Sequence, residues 1–175
     1  VSSSAASDVY KRQLTFNMND EIVLCNFSHE SCITCFEKIN NAIIKFWNIR
    51  KDKTIVYDDL YKLINNNTKL VVIPHVSNIL GSVIDIKTII LNIKNINQNT
   101  KVYVDGVAYL PHRNIDVNNY NVDFYVFSFY KFMGFRISVL YIKNGILEKL
   151  NNINHYFLDN EDKLQIGGIQ YEMLS

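Results

Sequence analysis

A lysine closes an otherwise apolar run: VDFYVFSFYK, Val122 to Lys131, is built of aromatic and β-branched residues until Ser128 and then reaches an amine. The same kind of break recurs elsewhere. LVVIPHVSN ends in His75, Ser77 and Asn78, KVYVD ends in Asp105, and EIVLCNFSH delivers His29. In open α/β sheets ligands bind beyond the carboxyl ends of the strands, so if these runs are parallel neighbours their polar ends converge on one rim. A neutral lysine amine attacks carbonyls to form a Schiff base, and pyridoxal phosphate is the commonest aldehyde held this way. Its pyridine nitrogen needs an acidic partner to stay protonated and draw electrons, a carboxylate that Asp105 can supply. The Ser128 hydroxyl and nearby backbone N–H groups suit a phosphate, and His29 is a candidate to cover the ring face. That chemistry wants the amine of Lys131 kept from water, opposite the carboxylate.

Each residue also has a plainer role. Lys131 alone is a strand-end lysine reaching solvent, and Asp105 before Gly106 is a turn former. His29 alone is a neighbour of a helix cap, with Ser28 as the N-cap, and Asn78 precedes a glycine-containing turn. The combination, in order and at strand ends, is what favours the chemical reading.

The elements that must position these residues alternate along the chain. Strand-like runs occur at Glu21 to Asn26, Lys69 to Val76, Lys101 to Ala108, Asp123 to Phe129 and Ile137 to Lys143, with a shorter one at KFWNIR. Between them, SCITCFEKINNAIIKF places Ile33, Phe36, Ile39, Ile43 and Phe46 at helical offsets, IDIKTIILNIKNI repeats Ile86, Ile89, Ile90 and Ile93 likewise, and YDDLYKLI is a shorter piece. Continuous apolar strands imply burial on both faces, so the expected fold class is α/β, a three-layer α/β/α arrangement around a mainly parallel sheet.

Bulk properties exclude several function classes. With 175 residues, one domain or a piece of one is expected. Lys+Arg 18 against Asp+Glu 17 leaves no electrostatic footprint for nucleic acid or an anionic membrane. No apolar run approaches the roughly 18 to 20 residues that span a bilayer. Cys25, Cys32 and Cys35 form no complete zinc pattern and read as reduced thiols. Val1 to Gln13 is small, polar and aperiodic, and is expected to be a non-native leader before a partial domain over 14–175 that is cut at both ends. A cytoplasmic location is expected, with an organellar address left open.

The segments TKLVVIPHVSNILGSVIDI, KVYVDGVAYLPHRNIDVNNYNVDFYVFSFYKFMG, ISVLYIK and QIGGIQYE together resemble the large domain of class V aminotransferase-like enzymes, the cysteine desulfurase family. The VDGVAYLPH and FSFYK forms look like a desulfurase-like subfamily. The resemblance implies that Lys131 holds pyridoxal phosphate and, once freed, serves as general base, that Asp105 pairs with the pyridine nitrogen, and that His29 stacks on the ring. It implies further that Ser128 and Tyr130 serve the phosphate, and that Asn78 sits near the phenolic oxygen and the substrate carboxylate. It also implies an amino-acid substrate, a homodimer approached through Gly167 and Gly168, and a possible sulfur-acceptor protein. The family's glycine/threonine phosphate loop, small domain, carboxylate-binding arginine and mobile sulfur-accepting cysteine would lie outside this chain.

Some positions depart from the family pattern. Ala108 stands in place of a glutamine, Tyr130 of a phosphate-binding histidine, Cys32 of an asparagine and Gly168 of a threonine. The expected function is a pyridoxal-phosphate enzyme of the desulfurase or aminotransferase kind, against a decayed α/β domain that keeps the fold without the cofactor. A nucleotide-binding doubly wound domain fits the alternation too, but no strand end carries G-x-G-x-x-G or a P-loop.

Overall fold

The computed structural model describes residues 14–150 and Leu164. The expected leader and the Gly167–Gly168 dimer contact lie outside the described residues. Strands β1 (Asp20–Cys25), β2 (Ala42–Trp47), β3 (Thr68–Pro74), β4 (Lys101–Asp105), β5 (Phe124–Ser128) and β6 (Ser138–Ile142) form one sheet in the order β2-β1-β3-β4-β5-β6. All neighbours pair in parallel except β5 and β6, which are antiparallel. The expected α/β architecture is therefore present, with an antiparallel edge strand closing it.

Alternate residues of each strand feed two cores. Val23, Val71, Ile73, Val102 and Val104 pack with Leu60 of helix α2 (Tyr57–Tyr61) and Ile86, Ile89, Ile90 and Ile93 of helix α3 (Ile86–Ile96). Leu24, Leu70, Val72, Tyr103 and Val126 face the other way, onto Cys32, Cys35 and Phe36 of helix α1 (Glu30–Glu37). Asp85 starts α3 by accepting the Thr88 N–H at 3.1 Å. A short helix α4 (Val117–Tyr120) leads into β5.

The reading of Ser31 to Phe46 as one helix is corrected by the structure. Helix α1 stops at Glu37, and Ala42–Trp47 is edge strand β2, registered parallel on β1. Asn40 and Asn41 supply the turn. Beyond it the pattern has period two: Ile44 and Phe46 pack on the α1 side and Trp47 on the α3 side, while Ile43 is exposed.

The amino ends of β4 and β5 are locked by a buried ion pair. Asp123 accepts the Val102 N–H at 2.9 Å and the Lys94 ammonium at 2.7 Å, so one carboxylate joins α3, β4 and the entry to β5. The opposite, carboxyl rim is left free for a site.

Candidate active site

Four parallel strands, β1, β3, β4 and β5, deliver their following loops to one rim. There a cavity of about 620 Å³ is lined by His29, Asn78, Asp105, Tyr130 and Lys131, together with residues of the loops after β3 and β4. Of the six residues expected to serve the cofactor, five thus line one cavity, on or just beyond the carboxyl ends of the strands.

Asp105 ends β4 with its side chain buried. Its Oδ1 accepts the Val107 N–H at 3.0 Å, and no hydrogen bond among the described residues engages Oδ2. Burial pushes the carboxyl above the usual carboxylate range, opposed by the Val107 hydrogen bond and by the charges of His29 and Lys131. A buried acid that lines a cavity is a fitting partner for the N–H of a cationic heteroaromatic ring.

Lys131 lies past the end of β5, inside the 3₁₀ turn Phe129–Phe132. The strand ends on a lysine because the chain turns there. Gly134 N–H closes back on Phe129 O at 3.0 Å, and a Cβ at Gly134 would come within 2.8 Å of that oxygen. Met133 takes a left-handed φ of 66°, completing the turn. The Lys131 ammonium stands 5.2 Å from the Tyr130 ring centroid. Contrary to expectation, the amine is not shielded: Lys131, Tyr130, Phe132 and Met133 are all exposed.

His29 is itself the N-cap of α1, in place of Ser28. Its Nδ1 accepts the Ser31 N–H at 3.1 Å and lies 2.7 Å from the Ser31 hydroxyl. With Nδ1 taken by a backbone amide, the neutral form of the ring would carry its hydrogen on Nε2. The capping and ring-covering roles are compatible, since the cap fixes the orientation of the ring.

Ser128 is not brought to the cavity. It is fully buried in β5, and its hydroxyl shares a 2.7 Å hydrogen bond with Ser138 across the antiparallel pair. His75 also turns inward, its Nδ1 2.7 Å from the Tyr125 hydroxyl and its ring stacked on Tyr109 at 3.5 Å and 7°. Burial lowers its pKa to about 4. Ser77 lines the cavity, but its hydroxyl donates to Phe27 O at 2.8 Å.

The sequence reading missed Tyr109, His112 and Arg113, which also line the cavity. The available signal was LPHRN directly after VDGVAY, a basic pair just beyond a functional strand end. The three cysteines are buried and form no disulfide among the described residues, and burial raises the thiol pKa of both Cys25 and Cys32.

Residues 2–157 match the family Aminotransferase class-V. The chain is 38% identical over 168 residues to the aminotransferase-like protein FGM3 of Gibberella zeae, covering 91% of this chain and 42% of that protein. It is 37% identical to a cysteine desulfurase of Wigglesworthia glossinidia brevipalpis, covering 75% of this chain and 33% of that one. The fold superposes on the apo cysteine desulfurase of Thermococcus onnurineus NA1 with a TM-score of 0.79 at 24% identity, over 87% of this chain and 39% of that one. The chain thus spans 42% or less of the length of each of these three proteins.

Proposed function

The chain belongs to the class-V aminotransferase family, and from that premise we propose that the protein containing it is a pyridoxal-phosphate enzyme acting on an amino acid, by cysteine desulfurase-like or aminotransferase-like chemistry. The observation that carries this reading is the placement of buried Asp105 and of Lys131 on one cavity, from the ends of adjacent parallel strands. When bound, pyridoxal phosphate supplies an electron-withdrawing ring that makes the proton on an amino acid's α-carbon removable. Asp105 holds the proton of the ring nitrogen, and His29 covers the ring face. Asn78 serves the phenolic oxygen and the Tyr130 hydroxyl the phosphate. Lys131 would hold the cofactor's aldehyde carbon through its amine and would serve as the base for the α-proton.

The buried thiols of Cys25, Cys32 and Cys35 are unsuited to carry sulfur. In the desulfurase reading that thiol, and any acceptor protein, comes from outside the described residues. A homodimer belongs to the same proposal: Phe132, Met133 and Phe135 stand exposed beside Lys131, where a second subunit would shield the amine. The decayed-domain alternative rests on Ala108, Tyr130 and Gly168, but neutral drift has no reason to spare both Asp105 and Lys131. The test is visible absorption of the intact recombinant protein. A cofactor band that disappears in Lys131→Ala supports the proposal; a protein without a band, or a variant that keeps it unchanged, refutes it.

A further inference from the structure

We propose that Tyr125, braced by His75, is a positioning residue that holds the Asp105 carboxylate in place for the cofactor's ring nitrogen, a role resting on the cofactor-site reading above. The main chain of Asp105 is pinned on both sides: its carbonyl accepts the His75 N–H at 2.8 Å, and the next N–H, of Gly106, donates to Val126 O at 2.8 Å. Its side chain has a slighter hold. Among the described residues one hydrogen bond reaches it, from the Val107 N–H to Oδ1 at 3.0 Å. Where that N–H lies is set by the planar peptide between Gly106 and Val107. The Gly106 carbonyl is tied by the Tyr109 and Leu110 N–H groups at 3.0 and 3.1 Å. Its α-carbon is stopped by Tyr125, whose ring and hydroxyl fill the place that a Cβ of residue 106 would take.

Tyr125 serves as a stop because it cannot swing away. It is fully buried in β5, its hydroxyl lies 2.7 Å from His75 Nδ1, and that imidazole lies flat on the Tyr109 ring at 3.5 Å and 7°. His75 thus holds Asp105 twice, through its own N–H and through the phenol. Burial, with Tyr120, Tyr109 and Asp105 adding to it, keeps the Tyr125 phenol well above its usual pKa, so it stays neutral near the carboxylate. Burying an imidazole and a phenol costs desolvation that an apolar pair of the same volume would not, and packing alone has no need of it. What the pair adds is a fixed hydroxyl at the exit of β4, where Asp105 stands. Phenylalanine would fill the same space without that fixed end.

The test uses the intact protein, as wild type, Tyr125→Phe and His75→Phe, titrated by calorimetry with pyridoxal phosphate and with its analogue in which C–H replaces the ring nitrogen. Asp105 can bond the ring of the first compound and not that of the second. Tyr125→Phe is expected to lose about three- to tenfold in affinity for pyridoxal phosphate and none for the analogue, the scale of one misaligned hydrogen bond. If that variant does not fold, His75→Phe, which frees the phenol, carries the same expectation. Equal losses for the two compounds, or no loss, overturn the proposal and leave Tyr125 a packing residue. A wild type that binds both compounds alike removes the Asp105 contact and the proposal with it. If the wild type takes up neither, the cofactor reading fails by itself, and site-resolved hydrogen exchange of the unliganded protein decides the tyrosine's role. Faster exchange of the Val107 N–H in the variant, with the Gly106 N–H unchanged, upholds it; an equal change at both, or at neither, ends it.

Discussion

Asp105 carries opposed demands. Burial penalises its charged form, so its folded pKa lies above the unfolded value, and the ionised carboxylate costs stability as pH rises through the folded value. A ring N–H⁺ would relieve that cost. Asp105→Asn is therefore expected to melt at least as high as wild type without cofactor at neutral pH, the advantage fading below the carboxyl pKa. It should also bind cofactor about ten- to a hundredfold more weakly, as loss of a charge-assisted hydrogen bond predicts. Paired melting curves with and without pyridoxal phosphate check both; a variant less stable without cofactor would contradict the account. Asp105 and Lys131 were legible in the sequence because a charge that interrupts an apolar run has few places to go. Arg113 was not, because in LPHRN an exposed cation looks like any solvated loop residue. The Ser138 partner of the Ser128 hydroxyl was not legible, because it is fixed only by the antiparallel pairing of β5 and β6.

Between elements, the exits of β3, β4 and β5 are fastened by one aromatic cluster. Tyr125 of β5 bonds His75 after β3 and presses on the chain after β4, where a Cβ at Gly106 would fall 2.3 Å from the tyrosine hydroxyl. The absence of a side chain at Gly106 lets Tyr125 lie there, next to Asp105. His75 is buried neutral, its pKa lowered to about 4 against the ordinary 6.5, so the unfolded chain binds the extra proton between those values. Stability from this residue is whole above pH 6.5 and is lost as pH falls toward 4, on the order of 3 kcal/mol in all. His75→Phe should remove that share of the acid sensitivity, so its stability deficit against wild type narrows from pH 7 to pH 4 in denaturant titrations; a constant deficit would contradict a neutral buried imidazole. Helix α3 was readable because four isoleucines on one face can be buried together only by a helix. The offsets of Ile33 to Phe46 fitted a helix only by coincidence, since Asn40–Asn41 splits them into helix and strand, and short apolar runs satisfy either period.

At the scale of the molecule, the parallel order of β1, β3, β4 and β5 makes four unremarkable loops into one site. The ion pair at Asp123 fastens the far end of the sheet, and the apolar strands bury both faces. The described residues leave Lys131 open to solvent beside exposed Phe132, Met133 and Phe135, an arrangement that calls for cover from the remainder of the protein or a second subunit. The intact protein is therefore the right object for the decisive measurement: borohydride reduction in the presence of pyridoxal phosphate, digestion, and mass spectrometry of the lysine-containing peptides. The account predicts the reduced cofactor on Lys131, with labelling lost in Lys131→Ala. Labelling of Lys38, Lys87 or any other lysine in its place, or none at all, would contradict it.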